Sequence, residues 1–375
     1  MRVGINLSFL RPGLVGGSEV YVREVLARLQ GTQDVEIVLF GSDEAVAGFE
    51  LSSEKVVLGG GAYNRVRRIY VENTRLRGAI NDCRVDVVWS PANFCVIRKL
   101  QVPQVTTVHD LQHVRLPDNF SRKDRAVRGA LFRLTALRSA RVVAISEFTR
   151  NDFIEVYGVP RERVVTIHSG VDRSWVSELP KPGGGIAELG AFGSYFYYPA
   201  ASNVHKNHGL LLEAVRRLID RGMQDVALVF TGMKTPYWST IQKSVIRLGL
   251  TKHVHHLGFV DRSTVFKLMA NAKALVFPSL FEGFGLPLLE AMQARTPVIA
   301  AKTSSIPEVV GDAAHLLEPT DLRGWVEAMG RVRTDGVWRD RLVRAGERNV
   351  ERFSWEKSAQ HLMDVFSSVV TQRSR

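Results

Sequence analysis

The 375-residue chain is poor in cysteine, with Cys83 and Cys95 alone. A disulfide framework or a cysteine zinc site needs more thiols at characteristic spacing, so two free, buried thiols are expected. Long apolar runs are also missing: none approaches the roughly 20 residues of a membrane span. The opening "MRVGINLSFLRPG" is shorter than a secretory apolar region and lacks its cleavage site, and a cytoplasmic protein is expected. There is no GxGxxG and no GxxxxGK[ST], so the usual dinucleotide and P-loop readings lack their residues. Acids are outnumbered, 38 Asp and Glu against 50 Lys and Arg, for a net charge of +12. The excess is uneven, since residues 51–150 hold 18 Lys and Arg against 8 Asp and Glu.

Its densest parts are "YNRVRRIYVENTRLR" (63–77) and "SRKDRAVRGALFRLTALRSAR" (121–141). Both read as helices with arginine on one side and leucine or phenylalanine on another. Such faces suit anionic lipid headgroups, diphosphates or nucleic acid. The aromatic interleaving that single strands favour is missing, so nucleic acid is not an expected partner.

What is present is a regular alternation of short β-branched runs with longer amphipathic stretches, the pattern of βαβ units and a parallel sheet. The strand runs of the first half are "RVGINLSFL", "VEIVLFG", "KVVLGG", "VDVVWSP", "QVTTVHD", "RVVAIS" and "RVVTIHSGVD". Residues 178–190, "ELPKPGGGIAELG", break the pattern with two prolines and three consecutive glycines and read as a hinge. The alternation resumes with "SYFYYPA", "VALVFTG", "VHHLGFV", "KALVFPS", "TPVIAA" and "AAHLLEP". The chain exceeds what one core usually serves. Two α/β domains are expected, residues 1–180 and 181–375, each a doubly wound Rossmann-like sheet, facing one another across a central cleft. A last helix from about Ser354 could serve either domain.

Chemistry-bearing residues fall at strand ends, where open parallel sheets bind ligands. Gly16 and Gly17 stand at the corner between the first strand and a helix, which lets a phosphate approach free amides. His109, with Asp110, ends the run "TTVHD", while His113 reads as structural. Lys206 and Asn207 enter a helix after "YYPAASNVH", where a lysine can meet a diphosphate as a point charge. In "ALVFPSLFEGFGLPLLEAMQA" a strand turns into a helix whose first turn holds Pro287, at a position where the missing N–H costs nothing. Glu282 lies in the loop and Glu290 about one turn into the helix. A carboxylate there can accept two hydroxyls of a ribose or hexose, and the amides of Phe284, Gly285 and Leu286 suit a phosphate. Two acids without a nearby histidine or third carboxylate make a poor cation cage, so no metal site is expected. The histidines of "KHVHHLG" (252–258) read as alternation along a strand edge.

With these residues in place the chain resembles a family 4 glycosyltransferase, a retaining sugar-nucleotide enzyme of the two-Rossmann GT-B architecture. The resemblance covers nearly the whole chain. Its most specific part is the acid pair of "EGFGLPLLE", Glu282 and Glu290, spaced as in the family's E-x7-E. The segments "GGSE", "VHD", "ISEFTRNDF", "SGVD", "HKN", "FTG", "LGFV" and "TPVIAAKTSSIPEVVGDAA" follow in the family's order. The resemblance implies that Gly16 and Gly17 line the phosphate side, that His109 contacts the donor sugar and that Lys206 binds the diphosphate. It implies that Glu282 holds the transferred sugar, that Glu290 holds the ribose, and that Gly232, Phe259 and Val260 lie against the base. It also implies retention by front-side attack with no metal and no cofactor beyond the nucleotide diphosphate sugar. Many members carry an arginine shortly before the lysine; "YYPAASNVHKN" has none, and compensation is expected from Asn203, His205 or Asn207. The "YPA…HKN" form is similar to a bacterial branch that includes mannosyltransferases of surface polysaccharides, which points to GDP-mannose. The acceptor implied is a glycan or a polyprenyl-diphosphate-linked oligosaccharide, met on the inner face of the plasma membrane through residues 63–77 and 121–141. The other readings are a UDP- or dTDP-sugar donor, and a non-catalytic GT-B or basic nucleic-acid-binding protein.

Overall fold

A computed structural model describes residues 1–13, 16–30, 35–50, 53–59, 65–172 and 192–373. They form two compact units, Met1–Gly170 with Ser354–Arg375, and Val171–Phe353. The expected hinge at 178–190, and with it the boundary at residue 180, lies outside the described residues, as do residues 63 and 64 of the first basic stretch.

Unit 1 is built on β1 (Arg2–Asn6), β2 (Glu36–Gly41), β3 (Glu54–Val57), β4 (Val87–Ser90), β5 (Gln104–Val108), β6 (Arg141–Ala144) and β7 (Val164–Thr166). Their order is β3-β2-β1-β4-β5-β6-β7, parallel throughout. Unit 2 holds β8 (Ser194–Pro199), β9 (Val226–Thr231), β10 (Val254–His256), β11 (Leu275–Phe277), β12 (Val298–Ala301) and β13 (His315–Leu317). They run β10-β9-β8-β11-β12-β13, again parallel. Every strand run read from the sequence forms a strand. Most strands are shorter than their runs because terminal residues, such as His109 and Asp110 after β5, pass the end of the ladder and enter a loop. Strands covered by helices on both faces are buried all round, which is why β4 and β9 read as unbroken apolar runs rather than alternating ones.

Both sheets reverse their winding once, between β1 and β4 in unit 1 and between β8 and β11 in unit 2. Loops leaving neighbouring strands on either side of such a reversal diverge to opposite faces and leave a crevice at the carboxyl edge. The two reversals therefore mark where each unit can take a ligand.

The last helix, Trp355–Arg373, packs on the helix Gly17–Leu29 of unit 1. The Tyr21 and Trp355 rings meet edge-on at 5.9 Å, and Phe366 approaches Trp89 at 6.1 Å. Arg28 Nε donates to Glu356 at 2.7 Å and Ser358 Oγ to the His168 carbonyl at 2.6 Å. Trp355 and Phe366 are almost wholly buried, each contributing roughly 2–3 kcal/mol by removal from water. Those apolar contacts assign the helix to unit 1.

The first basic stretch forms two helices, Arg65–Asn73 and Arg75–Asp82, interrupted at Thr74. The second forms Arg122–Arg138, whose first turn is capped by Ser121 Oγ accepting from Asp124 N at 3.1 Å. It buries Leu131, Phe132, Thr135 and Ala136, but Leu137 stands 67% exposed between Arg133 and Arg138. Apolar and basic side chains therefore share the outer face instead of separating cleanly. Both cysteines are free; Cys95 is buried as expected, while Cys83 is only half-buried. No helix among the described residues is long and apolar enough to cross a membrane.

Candidate active site

The unit 2 crevice is assembled from loops that follow β8, β11, β12 and β13. After β8 the chain reaches a 3₁₀ turn, Val204–Lys206, and after β11 it forms the loop 278–285. Strand order sets these two segments side by side, so Lys206 Nζ and Glu282 Oε1 meet at 2.6 Å although 76 residues separate them. The two side chains are 18% and 12% exposed. A pair this sheltered holds both charges in place, because each would otherwise stand poorly solvated beside an apolar wall that includes the Phe277 ring, 5.9 Å from Nζ.

The backbone carrying the pair is itself tied down. Leu280 N donates to the His205 carbonyl at 2.8 Å, and Tyr198 Oη donates to the Lys206 carbonyl at 3.0 Å. Asn207, at φ +54°, donates to the Pro278 carbonyl at 3.2 Å and the Pro319 carbonyl at 3.0 Å. Its amide thereby joins the loops after β8, β11 and β13. Asparagine is among the few side chains that tolerate this left-handed backbone. From the loop after β12, Ser304 Oγ accepts from Glu282 N at 2.9 Å, and Ser305 Oγ donates to the carbonyls of Glu282 at 3.0 Å and Phe284 at 3.2 Å. Thr303 Oγ1 donates to the Leu280 carbonyl at 3.2 Å.

Beyond this loop Gly285, at φ +98°, turns the chain into the helix Leu286–Gln293, whose amino end no side chain caps. Pro287 has no N–H and Leu288 N donates to the Gly285 carbonyl at 3.0 Å, so the Leu286 amide and the partial positive charge of the helix start are what this end offers an anion. Phe284 is buried against Phe353, with ring centroids 5.7 Å apart. Glu290 is half-buried in the second turn, and its charge adds to burial in pushing the Tyr197 phenol up. Gly232, at φ +116°, ends β9; a Cβ there would lie 2.8 Å from the Ala200 carbonyl carbon. Only glycine lets those two loops come so close. Phe259 is 74% exposed and Val260 half-buried.

The unit 1 residues stand at its own carboxyl edge. His109 follows β5 with its Nε2 2.7 Å from the Pro91 carbonyl, while its main-chain N–H donates to Asn93 Oδ1 at 2.7 Å. A carbonyl only accepts, so Nε2 carries the proton and Nδ1 is left as an acceptor. Burial lowers the His109 pKa, outweighing the Pro91 carbonyl and the Asp110 charge that raise it, and the ring is neutral near pH 7. Tyr21 meets the ring edge-on at 5.2 Å. Gly16 and Gly17 are exposed where the helix Gly17–Leu29 begins, again without a side-chain cap. His113 is a core residue: it stacks on Phe132 at 4.9 Å and its Nε2 lies 3.2 Å from Tyr157 Oη.

Unit 2 thus joins Lys206 to Glu282 and ties their loops through Asn207, with Phe284, Gly285 and Leu286 leading into the helix that carries Glu290, while Gly16, Gly17 and His109 belong to unit 1. One expectation needs correction. His205 cannot replace a missing positive charge, because burial and the neighbouring Lys206 lower its pKa to about 4. The roles of Ser304 and Ser305 were not read from the sequence. The signal that could have found them is three consecutive hydroxyl residues in "KTSSIPEV", between a strand and a helix.

The two units match two family models. Residues 15–175 match the model described as Glycosyltransferase Family 4, and residues 194–349 the model described as Glycosyl transferases group 1. Among curated proteins, the chain is 27% identical over 284 residues to O-antigen chain mannosyltransferase B of Escherichia coli, covering 75% of this chain and 74% of that one. It is 28% identical over 230 residues to O-antigen chain mannosyltransferase RfbU of Salmonella typhimurium, 61% of this chain and 60% of that one. Among solved structures, Anabaena Alr3699/HepE in complex with UDP and glucose aligns over 98% of this chain and 100% of that one, with a TM-score of 0.78 at 18% identity. WaaG, a glycosyltransferase involved in lipopolysaccharide biosynthesis, aligns over 97% of this chain and 99% of that one, with a TM-score of 0.75 at 16% identity. At these identities the structural likeness speaks for the fold.

Proposed function

Because the chain belongs to the family 4 glycosyltransferases of GT-B architecture, we propose that it moves a hexose from a nucleotide diphosphate sugar, GDP-mannose in the first instance, to a glycan or lipid-linked oligosaccharide of a surface polysaccharide. The observation that carries this reading is the Lys206–Glu282 pair, 2.6 Å apart at the winding reversal of unit 2. The O-antigen mannosyltransferases among its relatives support mannose and a polysaccharide acceptor. The neighbour solved with UDP and glucose supports a second reading, a UDP-sugar donor.

In this reading the donor separates the pair. Its diphosphate takes Lys206 and the Leu286 amide, its transferred sugar places hydroxyls on Glu282, and its ribose hydroxyls go to Glu290. Within unit 1, His109, neutral and with Nδ1 as acceptor, is suited to accept a sugar hydroxyl. The bond from the anomeric carbon to the phosphate oxygen breaks as the acceptor oxygen bonds the same face. Bonding on that same face retains configuration, and the acceptor's proton passes to the departing phosphate oxygen. Charge builds on the leaving diphosphate, and a fixed ammonium with a fixed amide stabilises it without reorganising. On that ground we assign the diphosphate charge to protein groups, with no metal. The exposed cations Arg122, Lys123, Arg125, Arg133 and Arg138, with Leu137 and Tyr70, support docking on an anionic membrane surface.

A thermal-shift series with GDP, UDP, dTDP and ADP, each with and without chelator, tests the donor site, since a ligand that binds the folded state raises the melting temperature. A chelator-insensitive rise with GDP alone is expected. A rise with UDP alone selects the second donor, and none with any nucleotide overturns the transferase reading. Salt-sensitive co-sedimentation with anionic vesicles is expected, and its absence removes the membrane surface.

A further inference from the structure

Where β4 and β5 of unit 1 end, a side chain continues the ladder between them. Ser90, the last residue of β4, pairs with Thr106. Three residues on, Asn93 takes a left-handed backbone at φ +64°. Its N–H donates to the Thr107 carbonyl at 2.7 Å, and its side-chain Oδ1 accepts the His109 N–H at 2.7 Å. In a parallel pair a residue donates to the carbonyl before its partner and accepts from the N–H after it. Asn93 does both toward Val108, except that its amide oxygen stands where its own carbonyl would be. That carbonyl points elsewhere and accepts from Thr135 Oγ1 at 3.4 Å.

The consequence falls on His109. Asn93 holds its N–H, Thr149 Oγ1 donates to its carbonyl at 3.4 Å, and its ring Nε2 donates to the Pro91 carbonyl at 2.7 Å. Pro91 and Asn93 belong to one short loop, so the asparagine that grips the histidine main chain also sets how far the ring stands from its carbonyl partner. That Nε2–H bond selects the tautomer whose Nδ1 is an acceptor. Thr135 Oγ1 ties the same loop down, accepting from Cys95 N at 3.1 Å. An asparagine that serves a turn alone bonds its own neighbouring backbone, whereas this one reaches a residue 16 positions away. Glycine permits the same backbone without the oxygen, and aspartate is among the few side chains that permit it with one.

We infer that Asn93 is a positioning residue for the transfer reaction: it fixes the place and the tautomer of His109, so that Nδ1 is presented to a sugar hydroxyl. A displacement of about 1 Å in such a group is enough to lower a rate about 10²-fold, so a second bond that fixes the main chain as well as the ring has a use in turnover. The inference rests on the glycosyltransferase reading but not on which nucleotide the donor carries.

Two variants of the full chain test it. Asn93→Gly keeps the left-handed backbone and removes the oxygen, while Asn93→Asp keeps both. Long-range nitrogen NMR of the imidazoles, with His109 identified from a His109→Gln variant, reads the tautomer directly, because protonated and bare ring nitrogens resonate apart. Turnover is followed as nucleotide release from GDP-mannose or UDP-glucose, according to which nucleotide raises the melting temperature. The wild type should show His109 protonated on Nε2 alone. In Asn93→Gly the two tautomers should mix and kcat should fall about tenfold, with the melting shift by nucleotide retained. Asn93→Asp, at about pH 8 where an ordinary histidine is neutral, should restore the single tautomer. An unmixed tautomer in Asn93→Gly overturns the inference whether or not kcat falls, since a loss of rate with the ring unchanged leaves Asn93 a structural role only. If the wild type releases no nucleotide, the transferase reading falls by itself, and the imidazole spectrum of Asn93→Gly still decides whether Asn93 sets the ring.

Discussion

The two units share one winding order and fill their crevices in opposite ways. In unit 2 the crevice is occupied by the protein's own charges: Lys206 and Glu282 close on one another, and Asn207, Ser304 and Ser305 fasten the loops that carry them. In unit 1 the crevice stays open, lined by Ser8, Glu72 and two arginines, Arg68 and Arg128. A site that stabilises charge developing in a reaction gains from groups fixed beforehand. One that has only to hold a ligand can leave bonding capacity for that ligand to complete. The same topology therefore supports one crevice closed by a charge pair and one left open.

The sharpest way to break this contrast is Lys206→Ala. It leaves the sheltered Glu282 carboxylate without its cation and removes the proposed diphosphate contact. Turnover should fall about 10²–10³-fold, and wild-type turnover in this variant would remove Lys206 from the reaction.

Next in size is Gly232→Ala, which forces a Cβ to within 2.8 Å of Ala200 and a non-glycine residue to φ +116°. A loss of about 2–3 kcal/mol is expected in denaturant titration. Hydrogen exchange should place that loss in unit 2 and leave unit 1 protected.

Ser305→Ala removes one hydroxyl that supports two carbonyls beneath Glu282. Stability should fall by about 1–2 kcal/mol, with a larger proportional loss in kcat than in donor affinity. An unchanged kcat would show that the loop holds its geometry without the serine.

The smallest effect is graded with pH. Burial lowers the pKa of His205 and His256 to about 4 and of His208 to about 3, while in unit 1 it lowers His113 to about 4 and His109 as well. A histidine kept neutral by folding binds fewer protons folded than unfolded. Its contribution is whole above the ordinary value near 6.5 and is lost as pH falls from there toward the folded value. Melting temperature should therefore decline from about pH 6.5 to pH 4. His208→Phe, within the cage of Tyr198 and Phe230 at 5.1 and 4.9 Å, should flatten the decline in unit 2. An equally steep decline would exclude His208 as a main source.

Much of the fold was legible because parallel sheets write themselves locally. Most buried strands are short β-branched or aromatic runs and each crossover an amphipathic stretch, so the thirteen strands of the described residues could be placed without knowing their neighbours. The strand-to-helix corner at Glu282 and Glu290 was legible for the same reason: loop, Pro287 and helix are contiguous. Less legible were the partners. Reading Asn207 and His205 as spare polar groups near Lys206 missed that the asparagine's donors are committed to two distant carbonyls and that burial keeps the imidazole neutral.

The sequence by itself determined the α/β class, two sheets, the strand-to-helix corners that carry most candidate residues, and the family. The element types follow from patterns within about twenty residues, and the two sheets and the family from the order of those patterns along the chain. Only the tertiary structure decided that Lys206 meets Glu282, that Ser304 and Ser305 carry the loop, that the last helix returns to unit 1, and that Glu72 and Ser8 share a cleft with two arginines. These pairings join residues dozens to hundreds of positions apart. They are set by strand order and by which loops emerge together at a winding reversal, a property of the assembled sheet that no local period encodes.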